Sequence, residues 1–363
     1  MKVLELFGGI GACTTALRRS GVDVEVADYV EIDKYAVASY NAINGTNFEP
    51  QDICTWDKNI EVDLIMHGSP CQDFSVAGKQ AGGDVGSGTR SSLMYETIRI
   101  VGKLRPKYVV WENVKNLLSA KHKHNFEAYL DTMKALGYAN YYQVLNAKDY
   151  GVPQNRERVF TISVRQDVDV GYDFPTKQPL EKRLKDLLED EAEEKYYLSN
   201  AMLKYAFNLE KEAKGIGFSD GVDKSYLNPD IAQTIGCRSA VSQRSGTTNY
   251  VTDDKVKRKV ADIKGCIQIG TLDIKGMDCI KRVYSDEGLS PTLTDMQGGN
   301  RQPKVEVNTR VRKLTPKECW RLMGFDDESF EKAAKVNSNT QLYKQAGNSI
   351  VVNVLEEIFK NLF

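Results

Sequence analysis

The sequence predicts an α/β protein whose first half folds as a doubly wound, mostly parallel sheet, with a second, smaller and irregular domain after it. Over residues 1 to about 165, short apolar runs alternate with stretches of helical spacing. The alternation stops near Phe174-Pro175, and glycine and polar residues multiply from there to about 310. At 363 residues the chain also exceeds the roughly 100–200 residues of one typical domain.

Lys2–Leu6, Val22–Ala27, Val62–His67, Tyr108–Trp111, Tyr141–Leu145 and Arg158–Val164 are short apolar runs that read as strands. Between them, Ala12–Arg19, Lys34–Asn44, Ser91–Lys103 and Asn125–Leu136 carry the spacing of helices with one buried face. In such sheets ligands bind beyond the carboxyl ends of the strands, so the loops there are the places to search for chemistry. The acidic stretch Glu181–Glu194 is expected to form a solvated helix, and Ser245–Asn249 and Gly298–Asn300 exposed turns. At Thr315-Pro316-Lys317-Glu318, threonine at the cap, proline at the first helical position and glutamate three after the cap make a capping box. An amphipathic helix from Ile350 to Leu362 closes the chain and is expected to return to the first domain.

With 41% hydrophobic and 27% charged residues, the chain is neither collagen-like, low-complexity nor wholly disordered. Its longest apolar runs, such as Ile350–Leu355, fall far short of the ~20 residues that span a bilayer. The opening Met-Lys-Val-Leu-Glu-Leu-Phe lacks a signal-peptide pattern, so an intracellular, cytoplasmic protein is expected. Seven cysteines without a Cys-x-x-Cys pair, and no clustered histidines, argue for reduced thiols and against a metal site. The net charge of -1 makes no global case for nucleic acid. Locally, Arg238, Arg244, Lys255, Lys257, Arg258, Lys259 and Lys264 concentrate positive charge, which suits either a basic binding face or a solvated surface.

The first strand runs into Phe7-Gly8-Gly9-Ile10-Gly11, where glycine backbone can approach a nucleotide-like ligand, although a turn that only packs helix on strand would look the same. Glu31, twenty residues on, is placed to accept from ribose hydroxyls. Thr14 stands where a dinucleotide fingerprint needs its third glycine, which favours an adenosyl ligand without phosphates over a nicotinamide dinucleotide. After the third strand comes Gly68-Ser69-Pro70-Cys71-Gln72-Asp73-Phe74-Ser75, then a glycine-rich tract to Gly88. A cysteine just past a strand end and behind a proline is placed like a nucleophile, and the tract after it is composed like a closing loop. A lone cysteine there is more often a small buried hydrophobe, but two further groups shift that balance. Glu112 ends the next strand, where desolvation can make it a raised-pKa acid, and Arg156 and Arg158 stand at spacing two, with donors suited to a base carbonyl or phosphate.

In this order these motifs resemble the cytosine-5 DNA methyltransferases of bacteria and phages. The resemblance covers most of the chain: Phe7–Gly11, Glu31-Ile32, Asp52-Ile53, Pro70-Cys71-Gln72, Glu112-Asn113-Val114, Gln154-x-Arg156-x-Arg158, Arg312–Phe325 and Gln345-x-Gly347-Asn348-Ser349. It is weak from 175 to about 300, the family's variable target-recognition region, where Thr292-Leu293 looks like the usual Thr-Leu pair. The resemblance implies a Rossmann-like S-adenosylmethionine-dependent domain in residues 1–174, completed by 335–363, with target recognition and hinge in 175–334. It implies that Cys71 adds as thiolate to carbon-6 of a flipped-out cytosine in double-stranded DNA. Glu112 would engage ring nitrogen-3 and the exocyclic amine, Arg158 the base carbonyl, and Arg156 the site or the DNA backbone. The cofactor S-adenosyl-L-methionine, leaving as S-adenosyl-L-homocysteine, would contact Phe7, Gly9, Gly11, Glu31, Ile32, Asp52, Ile53, Pro70, Leu93 and Asn348. Ser75, Lys79 and Gln80 on the 72–90 loop, with Arg238, Arg244, Thr292 and Leu293, are the implied DNA contacts. A monomer, acting in a bacterium or in the host cell of a phage, is the expected state, either within a restriction-modification system or for self-protection.

Two other readings keep the fold. One exchanges DNA for RNA, disfavoured by the more than one hundred residues of the recognition region; the other is a catalytically silent DNA-binding relative, disfavoured by the presence of every turnover residue. An adenine methyltransferase is disfavoured because Ser-Pro-Cys-Gln stands where an Asp-Pro-Pro-aromatic motif belongs.

Overall fold

The computed structural model describes residues 1–70, 93–198, 265–272, 274, 277–294, 296, 301–307 and 310–363. Six strands, β1 (Lys2–Leu6), β2 (Glu25–Val30), β3 (Leu64–His67), β4 (Tyr108–Val114), β5 (Tyr138–Asn146) and β6 (Glu157–Arg165), form one sheet in the order β2-β1-β3-β4-β6-β5. The first four run parallel, and β6 is antiparallel to both of its neighbours. That reversal sets the start of β6 beside the end of β4, with Arg158 opposite Val114 and Phe160 opposite Glu112.

Successive side chains of a strand point to opposite faces, and the apolar residues divide accordingly. Val3, Leu64, Met66 and Val110 enter one buried cluster, whereas Leu4, Ile65, Val109 and Trp111 enter another. Helix α1 (Ala12–Arg19) supplies Ala16 and Leu17 to the first cluster. Helices α3 (Met94–Leu104) and α4 (Lys123–Ala135) supply Ile100, Phe126 and Tyr129 to the second, while α2 (Lys34–Asn44) stacks Tyr40 on Tyr29 at the edge. The sheet is therefore wound on both faces, in the Rossmann-like manner expected.

Four short strands, β7 (Gln268–Thr271), β8 (Arg282–Ser285), β9 (Lys304–Val307) and β10 (Arg310–Lys313), form a second, smaller sheet. Helices α5 (Pro316–Arg321), α6 (Asp327–Ala334), α7 (Asn339–Asn348) and α8 (Val352–Leu362) follow. The capping box forms as the sequence requires, with Thr315 accepting from the Glu318 amide and Glu318 from the Thr315 amide. Helix α8 buries Val352, Leu355, Ile358 and Phe359 in the cluster that holds Val3 and Leu17, and the Glu356 carbonyl accepts from Ser20 Oγ. Trp320, Phe325 and Ala333, from the stretch read with the second domain, lie in that same cluster.

Two local expectations are corrected. Residues 181–194 do not form an α-helix; they hold one 3₁₀ turn at Leu184–Leu187 and the start of another at Glu194–Tyr196, amid irregular chain. Tertiary ties override local propensity here: Leu184 is buried, Lys185 pairs with Glu287 at 2.8 Å, and Glu189 accepts from Thr315 Oγ1. Strand β2 begins three residues later than the apolar pattern suggests, because Val22 N is spent on Leu17 O at the end of α1.

Candidate active site

The turn after β1 is built from left-handed backbone. Phe7, Gly9 and Gly11 have φ of 53°, 54° and 83°. That conformation is easy for glycine and costs about 1–3 kcal/mol at Phe7, an expense typical of ligand sites. A Cβ at Gly11 would stand 2.9 Å from the Tyr40 ring, so glycine is required there for space as well. The Gly9 amide donates to Glu31 Oε2 at 3.1 Å, the Asp33 amide donates to Oε1 at 2.9 Å, and Tyr29 Oη donates to the Gly9 carbonyl at 2.6 Å. These contacts hold the turn open over a cavity of about 410 Å³. Phe7, Gly9 and Glu31 form part of its wall, Lys344, Asn348 and Ser349 another part, and Gly68 and Glu112 are also among its walls. Burial raises the pKa of Glu31 above the ordinary carboxyl range despite its amide donors.

Glu112 comes to this cavity because β4 extends three residues beyond the predicted run. Its Oε1 accepts from Arg158 Nε at 3.0 Å, an ion pair that exists because β6 runs antiparallel. Burial raises the Glu112 pKa, and the attraction of Arg158 and Arg156 only partly offsets it. A Cβ on Gly68 would stand 3.8 Å from Glu112 Oε2, so the end of β3 approaches that oxygen. The residues flanking Glu112 brace the same loop: Trp111 Nε1 donates to Ser69 Oγ at 3.0 Å and Asn113 Nδ2 to the Ser69 carbonyl at 3.3 Å.

Arg156 takes a different course. Its buried guanidinium donates to the carbonyls of Leu293, Gly347 and Ser349. Gln154, fully buried, accepts from the Leu293 amide and donates to the Leu322 carbonyl. Of the residues assigned to the cofactor from the sequence, Phe7, Gly9, Glu31 and Asn348 stand together around the cavity with Glu112. Gly11 caps α1, and Ile32, with 69% of its surface exposed, lies beside Glu31. The cavity walls do not include Asp52, Ile53, Pro70 or Leu93; Asp52 accepts from the Cys54 amide, and Ile53 and Leu93 belong to the second apolar cluster. Thr292 is exposed and donates to the Asn155 carbonyl, whereas Leu293 is buried. Cys71, Ser75, Lys79, Gln80, Arg238 and Arg244 lie outside the described residues.

Against known proteins, the family model described as C-5 cytosine-specific DNA methylase matches residues 1–363. The chain belongs to the C-5 cytosine-specific DNA methylases. Among its relatives, the orphan methyltransferase M.SPBetaI of Bacillus phage SPbeta is 33% identical, over 100% of this chain and 97% of the relative. The type II methyltransferase M.HhaI of Haemophilus parahaemolyticus is 31% identical, over 100% of this chain and 94% of the relative. A solved DNMT2 structure from Spodoptera frugiperda superposes with a TM-score of 0.65 at 18% identity, covering 100% and 99% of the two chains, a likeness of fold.

The roles of three groups in this methylase escape a motif reading. Glu5, a buried carboxylate in β1, lines the cavity floor and accepts from Thr14 Oγ1 and from Tyr40 Oη at 3.2 Å. The signal for it was present: a charged residue inside an apolar strand immediately before a glycine turn. Asp33 caps α2 and pairs with Lys344 at 2.6 Å, so these two cavity residues join α2 to α7. No spacing rule links positions 33 and 344. Gln154 likewise shows its role only once the segments around 293 and 322 are folded against it.

Proposed function

We propose that this methylase transfers a methyl group from S-adenosylmethionine to carbon-5 of a cytosine flipped out of duplex DNA, through a covalent adduct with Cys71. The observation that carries this reading is Glu112, held by Arg158, in the wall of the same cavity that the glycine turn lines.

The cavity fits a sulfonium donor better than a dinucleotide. Thr14, in place of a third glycine, turns its hydroxyl into the structure toward Glu5, so close approach by a pyrophosphate is not provided for. Lys344, the one ammonium among the described lining residues, is already paired with Asp33 at 2.6 Å, so the walls offer no free cation to a pyrophosphate. Phe7, Gly9, Glu31 and Asn348 would hold the cofactor, with Gly11, Ile32, Asp52, Ile53, Pro70 and Leu93 as further candidates. Bound there, S-adenosylmethionine supplies the methyl group that carbon-5 takes up.

Carbon-5 of cytosine is a poor nucleophile. Addition of the Cys71 thiolate to carbon-6 forms a carbon–sulfur bond and pushes an electron pair toward nitrogen-3, leaving an enamine that is reactive at carbon-5. Burial shifts the Glu112 carboxyl toward its protonated form, the form that can donate to nitrogen-3, while Arg158 orients that carboxyl and would engage the base carbonyl. After methylation, the carbon-5 proton passes to a water molecule, the electron pair reforms the 5,6 double bond and expels the thiolate, and nitrogen-3 returns its proton to Glu112. The target base lies inaccessible in a duplex, so it must be flipped out at a cost of a few kcal/mol. Residues 175–334 provide target recognition, with Ser75, Lys79, Gln80, Arg238, Arg244 and Thr292 as candidate DNA contacts.

Incubating the protein with S-adenosylmethionine and unmethylated genomic DNA, then quantifying and mapping methylated nucleosides, tests this. The expected product is 5-methyldeoxycytidine at one short motif, abolished by Cys71→Ala with DNA and cofactor binding largely retained. Undiminished methylation by Cys71→Ala would overturn the covalent route.

A further inference from the structure

We propose that Arg156 is a positioning residue that couples the cofactor cavity to the segment around residues 290–293, so that binding of DNA and binding of the cofactor strengthen one another. The inference rests on the function proposed above, in which the second domain faces the duplex and the cavity holds the methyl donor.

The Arg156 guanidinium is buried, 4% exposed, and it bridges two parts of the chain remote in sequence. Nη1 donates to the Leu293 carbonyl at 2.9 Å, while Nη2 donates to the carbonyls of Gly347 at 3.2 Å and Ser349 at 2.8 Å. Hydrogen bonds from a charged donor are stronger than neutral ones, and the planar fork of arginine fixes the relative positions of its acceptors in a way a lysine ammonium does not.

Each end of the bridge is itself held. The Ser290 amide donates to the Pro153 carbonyl at 2.8 Å, the Asn155 amide to the Ser290 carbonyl at 2.9 Å, and Thr292 Oγ1 to the Asn155 carbonyl at 2.6 Å. With Gln154 Oε1 on the Leu293 amide, four hydrogen bonds tie the 290–293 segment to residues 153–155. At the other end, Asn348 and Ser349 are walls of the cavity. Two residues beyond Arg156, Arg158 holds Glu112 at that cavity. A shift of the 290–293 segment on a duplex therefore reaches the cavity through one rigid group, and linkage requires the effect to run equally in the other direction.

The test is calorimetric titration of S-adenosylhomocysteine into the full-length protein, alone and saturated with a duplex carrying the mapped motif. For the wild type, the duplex should tighten binding by about 5-fold or more. In Arg156→Lys that ratio should fall to within about 2-fold of unity. Thr292→Val, an exposed change that removes one stitch and spares the buried guanidinium, should lower the ratio while thermal unfolding stays unchanged, with duplex saturation established anew for this variant because Thr292 is also a candidate DNA contact. It keeps the proposal open to test if Arg156→Lys fails to fold. A wild-type ratio in a folded Arg156→Lys, or in Thr292→Val, would overturn the coupling. Methylation assays on the same samples separate the two ideas. A wild type that methylates the duplex yet shows no linkage overturns the coupling alone; one that neither binds nor methylates a duplex overturns both.

Discussion

Glu112 and Glu5 are both carboxylates buried at the cavity, but they hold different partners. Glu112 faces Arg158, and burial keeps its pKa raised even so, as a proton donor to a ring nitrogen requires. Glu112→Gln removes the transferable proton while keeping much of the shape. It should lower the rate of methyl transfer by about 100-fold or more while cofactor affinity changes far less. Equal losses in single-turnover rate and in cofactor affinity would indicate a structural role instead. Glu5 has no salt-bridge partner among the described residues, accepting from the Thr14 and Tyr40 hydroxyls and the Thr14 amide, and burial lifts its pKa to about 7 from an ordinary value of 4.5. Between those values the folded protein keeps a proton that the unfolded chain has released, so Glu5 makes stability fall as pH rises through that window. Glu5→Gln should therefore gain on the wild type by about 3 kcal/mol between about pH 5 and pH 8, as measured by urea unfolding. An unchanged difference between the two proteins at both pH values would mean that Glu5 does not titrate there.

At the scale of elements, the junction between β10 and α5 shows how local and long-range terms combine. The capping box at Thr315 was legible because all its groups lie within four residues. Glu318 does more than cap: it accepts from both Nη atoms of Arg312, at 2.6 and 2.8 Å, and from the Glu189 amide at 2.8 Å, with both side chains almost fully buried. Arg312→Met leaves that carboxylate uncompensated and should lower stability by about 3–5 kcal/mol in urea unfolding. Arg312→Met combined with Glu318→Gln should recover part of the loss, since the buried charge is then gone as well. Failure to recover would place the cost in lost packing. The same junction draws in Glu189, which is why an acidic stretch that reads as a solvated helix is pulled into irregular chain instead.

At the scale of the whole molecule, the order of the motifs was legible as a family resemblance, and the alternation of strands and helices and the glycine turn after the first strand were readable in the chain itself. The last two rest on short-range rules: side chains alternate along a strand, recur every three or four residues along a helix, and only glycine readily adopts left-handed backbone. What the tertiary structure decided was which distant residues meet. The reversal of β6 brings Arg158 to Glu112, the return of the terminal helices brings Lys344 to Asp33, and the folding of residues 290–293 onto 153–156 turns Arg156 from a second arginine in a motif into a bridge. These pairings depend on sheet order and helix packing, which are set by the burial of the whole apolar surface and leave no periodic mark at the residues they join.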